Sequence, residues 1–164
     1  MKIEPMKAIT LWQPWASLLA CGAKMFETRG WVTKYRGPIA IHAGLSFDNC
    51  FEEQFGLAAH AALKAMLPGF TYMHELPRGY IIAVAELIDV WRVHVHKPGS
   101  STSRIIKTYD EHFVTGEREI TDTEFLFGDF SLGRYAWEFA NMQMLDKPIP
   151  AKGKQGLWNW EGVA

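Results

Sequence analysis

Gly22-Ala23-Lys24-Met25-Phe26-Glu27-Thr28-Arg29 places a lysine, a carboxylate and an arginine within eight residues. On one side lies Thr10-Leu11-Trp12-Gln13-Pro14-Trp15-Ala16-Ser17-Leu18-Leu19-Ala20-Cys21, an apolar run with a single amide near its start. On the other lies Tyr35-Arg36-Gly37-Pro38-Ile39-Ala40-Ile41-His42-Ala43. Charged groups between apolar walls acquire unusual proton affinities and offer small ligands both grip and shelter. Trp15, Leu18 and Leu19 fall at helical spacing, with Pro14 suited to the first helical position, where its missing N–H is not needed. Gly22 is placed to end that helix in the left-handed region. Lys24 to Arg29 then reads as a strand, with Glu27 and Arg29 on one face and Phe26 and Thr28 on the other. Lys24 joins Glu27 and Arg29 only if Gly22-Ala23-Lys24 is still turning.

Outward from this stretch, Ala8 to Trp12 reads as a short strand and Ile39 to Ala43 as a compact apolar one carrying His42. Asp48 to Met66 is the longest expected helix, with Asp48 as N-cap and acids in the first turn to meet the helix dipole. Tyr80 to Val93 is a β-branched run suited to a central strand, and Glu86 is an acid within it. From His94 to Glu119 the chain turns polar and reads as an exposed, partly mobile insertion. Thr121-Asp122-Thr123-Glu124 has the form of a capping box. Gly133 to Gln143 reads as a strand, residues 147–156 as a basic, glycine-rich loop, and Leu157 to Trp160 as the closing strand. No repeat or linker interrupts the chain. The expectation is one domain over 1–164 with a polar insertion at about 94–120. Its class is α+β, a small, partly open β-barrel with flanking helices.

The 164 residues suit one domain, and 48% apolar content is enough for a core. A net charge of −1 argues against a protein that coats long nucleic acid. Any nucleic acid would be held locally, over few nucleotides. Cys21 and Cys50 read as buried thiols of a reducing compartment. Neither a secretory leader nor a membrane-length apolar run is evident, so the expected location is the cytoplasm and no membrane partner is expected. Of seven tryptophans, most are expected to hold the barrel and one or two to stack on a ligand ring.

Gly22-x-Lys24-x-x-Glu27-x-Arg29 resembles the motif of the ASCH superfamily, relatives of the PUA-like RNA-binding barrels. The resemblance extends through Leu11 to Ala16, Tyr35 to Ala43, Gly133-Arg134-Tyr135-Ala136-Trp137-Glu138 and Pro148 to Trp160, which is most of the chain. It implies a barrel whose cleft takes RNA or a nucleotide-like ligand, with the motif lining that cleft. One branch of the family resembles amidohydrolases that deacetylate an acetylated cytidine nucleoside with a lysine, a threonine and a glutamate. Lys24 matches the lysine of that branch, Glu27 stands where the threonine would be, and Glu86 is the match for the glutamate.

The expected cleft residues follow. Lys24, Glu27 and Glu86 are the candidates for proton transfer, and Trp12, Gln13, Arg29, His42, Arg134 and Lys152 for ligand contact. Aromatic walls would stack a base, Gln13 and Glu27 would read its edge, and Lys24, Arg29 and Lys152 would meet phosphate or carbonyl oxygens. Each has a plainer alternative. Lys24 with Glu27 could simply fix the turn, and Arg29 could simply hold the carboxylate. His42 could be a satisfied core histidine. Glu86 could face solvent, since alternation along its strand does not decide its side. His94 and His96 share a face when extended, but no third ligand follows at tight spacing, so no metal or cofactor is expected. The leading reading is binding of RNA or a modified nucleoside or nucleotide. A metal-independent amidohydrolase with Lys24 as base is the alternative, and a protein-interaction module with a vestigial cleft is the third.

Overall fold

A computed structural model describes residues 2–49, 53–96, 104–110 and 113–163. Cys50 and the serine-rich run at 99–103 lie outside the described residues, as does the side chain of His96. The chain is α+β. Its elements run β1 Met6–Gln13, α1 Trp15–Ala20, β2 Phe26–Arg29, β3 Gly37–Phe47, α2 Glu53–Met66, β4 Tyr80–His96, β5 Arg104–Asp110, β6 Phe113–Ile120, α3 Asp122–Leu126, β7 Tyr135–Pro150 and β8 Leu157–Trp160. Among the described residues no helix is long and apolar enough to cross a membrane.

These elements form two compact units, with β4 and β7 contributing to both. The first unit comprises residues 1–23, 37–86 and 141–164. There β1 pairs in parallel with β3, Ile9 opposite Ile41 and Thr10 opposite His42, and antiparallel with β8, Ala8 opposite Trp158. Ile3, Ala8, Ala40, Ile81, Trp158 and Trp160 make a buried apolar cluster in this unit. Residues 39–44 of β3 are all buried, so both faces of this strand are covered there, and the apolar area removed from water supplies the main stabilisation. Gly22 ends the α1 segment at φ +82°, as its position after the apolar run predicts.

The second unit comprises residues 24–36 and 87–140. There β2 pairs antiparallel with β7, Glu27 opposite Trp137 and Arg29 opposite Tyr135. β5 pairs with β4 and with β6. Phe26, Val93, Ile120, Phe130 and Ala136 form its buried cluster, with Trp91 and Phe125 packed against it.

Three expectations are corrected. The polar stretch after His94 is not simply an exposed loop: β5 and β6 pair as a hairpin from Arg104–Ile120 to Asp110–Phe113. Its polar composition hides a ladder whose stability comes from backbone pairing and from Ile120 in the core. The strand that begins at Tyr135 runs on to Pro150, so Lys147 to Pro150 belong to β7 rather than to a loop. The start expected for α2 falls on residues 50–52, which lie outside the described residues; the described part begins at Glu53, and the Asp48 carboxylate accepts from Trp15 Nε1 at 3.0 Å. Pro14 sits at the N-cap of α1, one residue before the place expected for it.

Candidate functional site

β2 begins only at Phe26, so Gly22-Ala23-Lys24 is still turning and Lys24 swings onto the Glu27 face. Its Nζ lies 3.2 Å from Glu27 Oε2 and donates to the Phe127 carbonyl at 2.7 Å. Glu27 Oε1 lies 3.3 Å from Arg29 Nε. Side-chain exposure climbs along this ion chain, from 1% at Lys24 to 13% at Glu27 and 25% at Arg29. A buried ammonium without a counter-charge is costly, and Glu27 together with the Phe127 carbonyl supplies the compensation. Two cations to one carboxylate leave the chain with a formal charge of +1, and the cation at its open end is a guanidinium, which matches phosphate and carboxylate oxygens in a fork.

The antiparallel register puts Trp137 opposite Glu27, fully buried. Trp31 packs edge-on against it, with ring centroids 4.6 Å apart, and accepts from Trp137 Nε1 on its backbone carbonyl at 3.2 Å. Trp31 itself is 37% exposed. The side chain two residues beyond Arg29 is therefore a fixed, partly open indole.

Residues 121–134 wrap the motif. Thr121 caps α3 by accepting from Glu124 N–H, but the reciprocal half of the capping box is missing because the Glu124 carboxylate accepts from the Met25 N–H instead. Asp129 N–H donates to Thr28 Oγ1 at 3.0 Å, and Arg134 Nη2 donates to the Thr28 carbonyl at 3.3 Å. Arg134 Nε also donates to the Asp129 carbonyl and pairs with its carboxylate. Burial would raise the Asp129 carboxyl, but the Ser131 hydroxyl and amide and the Arg134 charge bring it below its ordinary value. Beside them, Glu138 is buried and saturated, taking Trp91 Nε1 at 2.8 Å on one oxygen and Arg118 on the other. Arg118 also lies over the Phe26 ring, 4.9 Å from its centroid.

The other sequence-derived residues lie in the first unit. Gln13 is fully buried and held by the fold: its Nε2 donates to Ser17 Oγ and the Pro77 carbonyl, and its Oε1 accepts from Ser17 N–H. His42 is 2% exposed. Its Nε2 donates to the Ala151 carbonyl at 2.9 Å, and its Nδ1 lies 3.2 Å from Thr10 Oγ1. Burial lowers its proton affinity, with the Ala151 carbonyl pulling the other way, so the neutral ring is favoured. Gly153 lies directly against that ring, where an added Cβ would stand 2.5 Å from His42 Cε1. Lys152 and Trp12 are exposed, Trp12 at 55%. Glu86 faces solvent and accepts from Asn141 Nδ2 at 2.8 Å, while its neighbours Ala85 and Leu87 point inward.

Reading the residues alone missed Arg118, Glu124 and Glu138. Glu138 carried one signal: a carboxylate within Ala136-Trp137-Glu138-Phe139 must find a donor inside the protein. Among the described residues no group of three or more histidine, cysteine, aspartate or glutamate side chains is placed to hold a metal ion.

ASCH domains are generally associated with RNA binding. No curated protein matches the chain significantly. The family model for the ASCH domain matches residues 9–149, which takes in the Lys24–Glu27–Arg29 chain and the Thr28 clasp, and the chain belongs to the ASCH domain family.

Proposed function

We propose that this chain is a single PUA-like ASCH domain that binds RNA, or a nucleoside or nucleotide of the same chemistry, at the Lys24–Glu27–Arg29 ion chain. One observation carries the reading: side-chain exposure along the ion chain rises from 1% at Lys24 to 25% at Arg29, and Trp31, two residues on, is partly exposed. Lys24 holds Glu27 in place, Glu27 offers an acceptor to a base N–H, Arg29 meets phosphate, and Trp31 stacks on the base. These are the three elements of local, single-stranded recognition, and they suit a protein with no general basic excess. In the first unit Trp12 and Lys152 are exposed, whereas Gln13 and His42 act as scaffold.

The test is equilibrium binding of short single-stranded RNAs and of mononucleotides across a salt series. Binding that weakens as salt rises, and that drops about tenfold with Arg29→Ala, supports the reading; salt-independent binding removes the phosphate contact from it.

A second reading, hydrolysis of an acylated cytidine-type nucleoside, is favoured by the burial of Lys24 against a carboxylate. Lys24, after yielding a proton to Glu27, would take one from water as its oxygen bonds to the acyl carbon, and Glu27 would pass its proton to the amine as the C–N bond breaks, leaving acetate and the free amine. Acetate release from acetylated cytidine, lost in both Lys24→Ala and Lys24→Arg, is its signature, because arginine does not give up its proton.

A further inference from the structure

Glu124 belongs to the five-residue helix α3, yet its side chain serves a segment about a hundred positions earlier in the chain. It is 8% exposed. One carboxylate oxygen accepts from the Met25 N–H, the peptide group immediately after Lys24. The other, Oε2, is buried with no hydrogen-bond partner. The carbonyl of Phe127, at the C-cap of the same helix, accepts from Lys24 Nζ. One short helix therefore grips Lys24 twice, by its ammonium through Phe127 and by its following peptide through Glu124. Two cations face the Glu124 carboxyl, Lys24 from the turn before β2 and Arg118 from β6. Arg118 is itself paired with Glu138, and Lys24 with Glu27.

We propose that Glu124 is a positioning residue for the Lys24–Glu27–Arg29 chain, and that gain or loss of its proton changes how strongly that chain holds an anionic ligand. The ligand half of this inference rests on the reading under Proposed function. Fixing the Met25 peptide keeps Gly22-Ala23-Lys24 in its turn, and that turn is what brings Lys24 onto the Glu27 face. With Glu124 neutral, Lys24, Glu27, Arg29 and Glu124 together carry a formal +1; with Glu124 ionised they carry zero, and a phosphodiester meets a weaker field. Burial raises the carboxyl's proton affinity, against the Met25 and Phe26 amides and the two cations, so the change falls above the ordinary glutamate range. Affinity for an anion then declines as pH rises through that transition.

The positioning claim is read first without ligand, by amide hydrogen exchange. The Met25 amide is expected to exchange at least about tenfold faster in Glu124→Ala and to stay protected in Glu124→Gln, whose side-chain carbonyl accepts the same hydrogen bond. Unchanged protection of Met25 in Glu124→Ala overturns the proposal whether or not RNA binds. Binding of an oligouridylate, whose phosphodiesters and bases do not titrate between pH 4.5 and 8, is then measured across that range. The unaltered protein should bind more weakly as pH rises, and Glu124→Gln should hold its low-pH affinity throughout. A pH dependence that survives Glu124→Gln in full overturns the charge claim. No binding by the unaltered protein removes the reading of the site and the charge claim with it, and leaves the exchange result to decide positioning. If Glu124→Ala does not fold, carbon-13 titration of the Glu124 carboxyl decides in its place. An ordinary glutamate titration, unmoved by Lys24→Met, overturns the proposal; a raised one that shifts with Lys24→Met supports it.

Discussion

Two buried polar centres invite comparison, the Lys24 centre of the second unit and the His42 centre of the first. His42 is enclosed: Nε2 is spent on the Ala151 carbonyl, Nδ1 faces Thr10, and Gly153 covers the ring. Gln13, buried in the same unit, likewise spends its amide on Ser17 and Pro77. The Lys24 centre is built differently. It carries net charge, opens through Glu27 to Arg29, and keeps the Oε2 of Glu124 without a partner. Saturated polar groups fix a fold, whereas charge that runs out to solvent can do work on a ligand. The two residues read from sequence as equivalent cleft contacts, His42 and Arg29, thus fall on opposite sides of this division.

The sharpest way to break the comparison is Lys24→Met. Removing the ammonium leaves Glu27 short of a partner in a nearly closed site, and a cost of about 3–5 kcal/mol is expected by urea unfolding, with loss of RNA binding. A cost under about 1 kcal/mol would mean that the charge is not needed to hold the turn. Gly153→Ala attacks the other centre. Its Cβ would overlap His42, so a destabilisation of about 1–3 kcal/mol is expected from thermal melting, with ligand affinity within twofold of the unaltered protein. A large affinity loss there would show that the His42 centre is also part of the site. Arg29→Ala separates binding from folding: about 1.4 kcal/mol less binding free energy is expected, with stability changed by less than about 1 kcal/mol, because the pair it breaks is partly exposed.

The smallest expected effect is a pH effect on His42. Its proton affinity is lowered in the folded protein, so above the ordinary histidine value of about 6.5 both folded and unfolded states hold it neutral. As pH falls below that value the unfolded chain takes up the proton first, and stability drops. His42→Gln should flatten this part of the stability profile, measured by melting temperature between pH 7.5 and 5. A profile that keeps its slope assigns the loss to another group.

How much of this was legible from residues alone follows physical lines. Local signals held: the left-handed end of α1 at Gly22, the shared face of Glu27 and Arg29, and the tryptophan-rich closing strand at Leu157–Trp160. Each depends on neighbours a few positions away. The ASCH motif likewise pointed to the residues of the ion chain. The Arg104–Ile120 hairpin was hidden because its pairing is carried by the backbone, and serine, threonine and charged residues obscured the alternation. Glu124 looked like half of a capping box because its acceptor role is local by default. Its partner, Met25, lies 99 positions away, and no pattern in the sequence points there. Glu86 stayed undecided until its neighbours were seen to pack inward.

The central claim is that RNA meets this protein at the open end of the Lys24–Glu27–Arg29 chain. The most direct measurement is amide and side-chain chemical-shift mapping by NMR during titration with an oligouridylate. The account predicts that the largest changes fall on Glu27, Arg29 and the Trp31 indole N–H, and that Gln13 and the His42 ring stay still. Saturable changes centred on the His42 ring and Gln13, with Glu27 and Arg29 unmoved, would contradict it.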